Sequence, residues 1–135
     1  MFDPTYMTES KVTLGEGAGL DYGAEVSGFQ LVPTYQTATW KGLKPGSVYT
    51  KSGKATWVLT INFGQDHEAA TSLSTFLFEH EGETMPYDVE PIDGGTAFSG
   101  TLIAQAGPIG GEVDQFGNAT VNLPVNGKPT RTPAA

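Results

Sequence analysis

Two histidines flanked by carboxylates are the residues of this chain best suited to chemistry: His67 follows Asp66, and His80 stands between Glu79 and Glu81. A histidine–carboxylate pair can move a proton, and a cluster of such groups can hold a metal. Zinc needs three or four converging ligands, and these two histidines lack the spacing that sets two imidazoles on one helix face. They read as surface or helix-end residues, and no metal site is expected. No serine stands in a Gly-x-Ser-x-Gly elbow, and neither histidine is placed to activate a hydroxyl. Carboxylate pairs of the kind that cleave glycosides can be drawn from Glu79, Glu81, Glu83, Asp88 and Glu90, as from any acidic chain, so a solvated acidic face is the simpler reading. The GEGAGL stretch at 15–20 imitates a phosphate loop but lacks both an apolar strand before it and a lysine after it. The expectation is a protein with no catalytic residue and no cofactor, and not an enzyme.

Aromatic side chains leave a binding role open. Tyr35, Trp40, Tyr49 and Trp57 could form a flat platform for sugars. Trp57, however, shares a strand face with Leu59, Ile61 and Phe63 and belongs to the core. Trp40 and Tyr49 bracket a basic segment and suit interface anchors.

These residues must be held by strands. Residues 24–40 alternate apolar and β-branched types and read as one long or bent strand, with Pro33 marking a bend or an edge. Residues 41–54, with turn chemistry at Pro45-Gly46 and Ser52-Gly53, form an extended loop or hairpin. Residues 55–63 give the clearest strand, with one apolar face and one face of Thr56, Val58, Thr60 and Asn62. Leu73, Phe76, Leu77 and His80 then fall at helical spacing, which predicts one helix over about 71–81, capped by Thr71 or Ser72 and stopped by Gly82. Strands are expected at 84–91 and 96–106, paired through the Asp93-Gly94-Gly95 turn, and at 118–127. Residues 11–14 are a short strand candidate, and residues 107–117 are mostly loop. The termini, about 1–10 and 128–135, are expected to be flexible or ordered only on assembly.

Composition agrees. The 135 residues suit a single domain, and 18 Gly with 9 Pro favour short strands and turns, hence a mostly-β fold. Cysteine is absent, so there is no disulfide and no thiolate site. No apolar run approaches the ~20 residues that cross a bilayer, so the expectation is a soluble protein with no membrane insertion, made in a cytoplasm. A net charge of -8 argues against a nucleic-acid clamp. Charge is also segregated: every acidic residue lies at or before Glu25 or at or after Asp66, whereas Lys41, Lys44, Lys51 and Lys54 are four of the seven basic ones.

The succession of a long strand, a basic loop, WVLTINFGQD, SLSTFLFEHEG, PYDVEPIDGG and GGEVDQFGNATVNLPVNGKP resembles major tail tube proteins of long-tailed (siphovirus-type) bacteriophages, especially those of actinobacterial hosts. The similarity runs from about Gly28 to Pro129. It implies an antiparallel β-sandwich or squashed barrel with one flanking helix. It also implies self-assembly into stacked, hexameric rings that conduct phage DNA, in a virion tail made in the bacterial cytoplasm. Tape-measure and terminator proteins would be further partners, and double-stranded DNA a transient one. The inter-ring loop of that family corresponds to 41–54, with Lys41, Lys44, Tyr49, Lys51 and Lys54, and an acidic docking surface is expected at Glu79, Glu81 and Glu83. The uncharged Thr60, Asn62, Thr120 and Asn122 suit a lumen that lets DNA slide. The rival readings are a capsid decoration protein and a carbohydrate-binding or adhesion module using Tyr35, Trp40 and Tyr49.

Overall fold

Alternating side chains become strands wherever a neighbouring strand completes their hydrogen bonds, and in the computed structural model this occurs along about half of the chain. The structure describes Phe2, residues 4–15 and residues 20–133. Most of the glycine stretch weighed for phosphate binding lies outside the described residues, as does Met1. The strands are β1 (Lys11–Leu14), β2 (Leu20–Asp21), β3 (Val26–Thr34), β4 (Thr37–Lys41), β5 (Val48–Ser52), β6 (Thr56–Gly64), β7 (Thr84–Glu90), β8 (Ala97–Ile103) and β9 (Asn118–Thr132); the helix is α1 (Leu73–Glu79). Seven strands form one antiparallel sheet in the order β2-β1-β7-β8-β9-β6-β3, and β4 with β5 form a separate two-stranded ribbon. The mostly-β, antiparallel architecture with one helix is as expected, and the large sheet curls into a half-barrel.

The core lies on the concave face. Leu59, Ile61 and Phe63 of β6, Ala119, Val121, Leu123 and Val125 of β9, and Met85, Tyr87 and Val89 of β7 are buried there, together with Leu102, Val12 and Leu14. Period-two alternation puts all of them on one side, and each fully buried leucine contributes about 2 kcal/mol. The helix closes one end. Its Leu73 and Leu77 enter the core, and Ser72 caps it by accepting a hydrogen bond from the Thr75 N–H. Gly82, with φ of 85°, turns the chain back into β7, a backbone conformation that side-chain-bearing residues rarely adopt.

Two expectations are corrected. Residues 24–40 are not one strand: β3 stops at Thr34 and β4 starts at Thr37, because β4 leaves the sheet to pair with β5 alone. The segment from Lys128 does not fray up to Thr132; it continues β9, where Ser99 faces Thr130, Phe98 faces Arg131 and Ala97 faces Thr132. Pro129 is buried there. A partner strand supplied this order, which a polar sequence with two prolines does not signal. Glu9 and Ser10 are tied to the β7–β8 turn, with the Ser10 hydroxyl donating to the Pro91 carbonyl at 2.7 Å and the Asp93 N–H donating to the Glu9 carbonyl at 2.9 Å.

Candidate assembly interface

The basic segment is a hairpin. β4 and β5 pair in register, with Thr39 facing Thr50, Trp40 facing Tyr49 and Lys41 facing Val48. The Gly42 N–H donates to the Ser47 carbonyl at 2.7 Å to close the tip, and the Gly53 N–H donates to the Gln36 carbonyl at 2.7 Å to close the base. Every residue of both strands is exposed, so the ribbon projects from the body rather than packing on it. Strand partners share a face. One face therefore carries the Trp40–Tyr49 pair, with ring centroids 6.0 Å apart, and Lys51; the other carries Thr39, Thr50, Lys41 and Val48. Lys44 and a fully exposed Leu43 occupy the tip, and Lys54 the base. The four lysines thus surround the ribbon and do not form one patch.

Antiparallel order fixes which end of the sheet each residue occupies. The starts of β1, β6 and β8 and the ends of β3, β7 and β9 lie together at one end, the base; the opposite termini lie at the other, the crown. The hairpin leaves from the base, between β3 and β6. Lys11 opens β1, and Lys128 and Arg131 stand near the end of β9, so all seven Lys and Arg are basal. The crown holds α1, the β6–α1 connection and residues 104–117. It carries Asp66, Glu68, Glu79, Glu81, Glu83, Glu112 and Asp114 and no Lys or Arg. The predicted acidic group Glu79, Glu81 and Glu83 is exposed at the end of α1, with the His80 Nδ1 2.9 Å from the Glu83 Oε2. Carboxylates at a helix C-terminus face the negative end of its dipole, an arrangement that a cationic neighbour relieves.

The four uncharged residues predicted together are brought together on the convex face. The Thr60 hydroxyl donates to the Asn122 Oδ1 at 2.8 Å, and the Thr120 hydroxyl donates to the Asn62 Oδ1 at 2.6 Å. Gly28, Gln30, Val58 and Pro124 continue this face without a charge. The histidines are not brought together: His67 contacts Gln65 at 3.0 Å, and His80 contacts Glu83 and stacks on Phe76 at 4.5 Å. Among the described residues no three His, Asp or Glu converge as metal ligands. Of the sugar-platform aromatics, Trp57 packs against the core, whereas Tyr35 stands where β3 breaks from the ribbon.

Sequence reasoning missed two features. Exposed Ile109, Val113 and Phe116 stand on the crown loop. The open side of the half-barrel forms a groove of about 780 Å³ at the base, lined by Phe29, Leu31, Trp57 and Phe98 among others. The first was visible as apolar residues inside a Gly-rich loop; the second needs the sheet to curl.

No family model matches this chain, and no curated protein does. A solved structure described as the tail of an empty GTA particle, from helical refinement with C6 symmetry, matches with a TM-score of 0.67 at 15% identity, over 92% of this chain and 94% of that one. The likeness spans nearly the whole of both chains, and the fold of this protein is the fold found in that tail.

Proposed function

We propose that this chain is a structural tail tube subunit of a phage or phage-like particle, not an enzyme, which forms hexameric rings that stack into a DNA-conducting tube. The observation that carries this reading is the placement of charge: the projecting hairpin and all basic residues stand at the base, beside Glu9, Glu90 and Asp93, whereas the crown opposite carries carboxylates and no Lys or Arg. A contact between unlike ends is heterologous and repeats until something stops it, and opposite charge gives it direction. The fold shared with a C6-symmetric tail supports rings of six. In that arrangement Lys41, Lys44, Lys51 and Lys54 meet acidic residues around the crown of the next ring, Glu79, Glu81 and Glu83 among them, with Trp40 and Tyr49 as apolar anchors of the contact. The uncharged face around Thr60, Asn62, Thr120 and Asn122 lines the lumen, where hydroxyls and amides already engaged with one another offer phosphates no cation to hold. Such a subunit is made in the host cytoplasm, resides in the virion tail, and meets tape-measure and terminator proteins at the tube's ends.

Replacing all four hairpin lysines with glutamate is expected to abolish tube growth of the purified protein in electron micrographs while leaving its circular dichroism unchanged. Normal tubes from that variant would reject the proposal.

A further inference from the structure

The crown loop and the basal groove complement each other, and the hairpin contact uses neither. Residues 104–117 join β8 to β9 at the crown. Gln65 fixes the middle of this loop: its amide nitrogen donates to the Gly110 carbonyl at 2.8 Å, its amide oxygen accepts from the Gly110 N–H at 2.9 Å, and its backbone N–H donates to the Gly117 carbonyl at 2.7 Å. What remains free is a short tip in which Val113 and Phe116 are 88% and 95% exposed, beside Glu112 and Asp114. Large apolar groups so fully presented, on a loop tied down at its base, are a liability for a lone molecule and mark a contact surface.

The basal groove has the opposite character. Half-buried Phe29, Leu31, Trp57 and Phe98 leave an apolar floor, and the groove's charged lining residues are Lys128 and Arg131. Among the described residues neither makes an ion pair. Its occupant should therefore be apolar and anionic. The tip at 112–116 has that chemistry, whereas the hairpin, with four lysines, would bring like charge to Lys128 and Arg131.

A molecule cannot fill its own groove. The tip stands near the crown end of β6 and the groove near its first residues, and nine residues of strand separate these ends by about 30 Å. With Gln65 holding Gly110, the free tip is too short to span that distance.

We propose that residues 112–116 of one copy seat in the basal groove of a second copy, with Val113 and Phe116 on the Phe29–Leu31–Trp57–Phe98 floor and Glu112 and Asp114 against Lys128 and Arg131. This rests on the reading of the chain as a stacking subunit and adds a second contact to its joint. The hairpin of the upper copy reaches down to the acidic crown, and the crown loop of the lower copy reaches up into the base, so the two copies clasp each other in both directions.

Two variants test this by mixing. The loop variant carries Glu112→Lys, Val113→Ser and Phe116→Ser; the groove variant carries Lys128→Glu and Arg131→Glu. Each changes exposed side chains and is expected to keep the wild-type melting temperature. Each alone should need a concentration higher by about tenfold or more to assemble. Mixed, they retain one intact loop and one intact groove, and analytical ultracentrifugation should show a 1:1 heterodimer at concentrations where neither self-associates. If either variant assembles like wild type, or the mixture gives no heterodimer, the contact is wrong while the tail reading stands. Wild-type protein that forms open filaments instead of tubes, with both variants monomeric, would support the contact and overturn the ring reading. A wild-type protein that stays monomeric at every concentration would overturn both.

Discussion

Tyr87 places its ring in the core, 2% exposed, but its hydroxyl meets no partner within the protein. The ring lies over Gly100, where an added Cβ would come within 3.2 Å of it, so β8 is bare of a side chain at the one position that the phenol occupies. Burial pushes the Tyr87 ionisation up to about 12 from the ordinary 10.0. Burial also raises Tyr22, with nearby Glu25 adding to the effect. In the unfolded chain these phenols lose their protons near pH 10, before the folded ones do. Their contribution to stability is therefore intact below about pH 10 and is lost above it, for Tyr87 as pH rises to about 12. Tyr87→Phe removes a buried hydroxyl that costs about 1–3 kcal/mol to desolvate unpaired. That variant should be at least as stable as wild type at pH 7 in urea titrations and should lose less stability between pH 9 and pH 11. A marked loss at pH 7 would show that the hydroxyl has a partner.

Among the elements, α1 depends most on a single residue. Seven residues are too few to hold a helix by propensity alone, so its start and its packing decide its existence. Ser72 supplies the start: its hydroxyl accepts from the Thr75 N–H and donates to the Asp66 carbonyl, while the Glu25 carboxylate accepts from the Leu73 N–H at 3.0 Å. Ser72→Ala should cost about 1–2 kcal/mol in chemical denaturation, since it deletes the cap and leaves buried backbone groups unpaired. The hairpin is the reverse case. Its strands bury nothing in the monomer, so Trp40→Ala should leave the unfolding midpoint unchanged while weakening self-association measured by sedimentation. Residues that alter assembly without altering stability distinguish a contact surface from a core.

At the scale of the molecule, polarity along the strands matters more than the net charge of -8. A uniformly acidic particle would repel its copies; one with its cations at the base attracts them end to end. Screening reaches about 10 Å at 0.1 M salt and about 3 Å at 1 M. Self-assembly should therefore retreat between these concentrations, as turbidity or light scattering would show. The unfolding midpoint of the monomer should barely move, because among the described residues the close Lys–carboxylate contact is the half-buried Lys11–Glu90 pair, at a long 4.0 Å. Assembly indifferent to salt would exclude charge as its guide.

Local pattern was enough for several of the elements. The spacing of Leu73, Phe76 and Leu77 marked the helix, and alternation marked β6, β7, β8 and the first part of β9, because side-chain period depends only on backbone geometry within a segment. The uncharged ladder of Thr60, Asn62, Thr120 and Asn122 was legible for the same reason. Tertiary structure alone ordered Lys128–Thr132 against β8, released β4 and β5 as a ribbon, and opened the groove beneath the curled sheet. It alone also gathered Lys11, Lys128 and Arg131 with the hairpin lysines at one end. Which end of a sheet a residue occupies is set by the direction in which each strand joins its neighbours, and that pairing links segments far apart along the chain, beyond the reach of any local period.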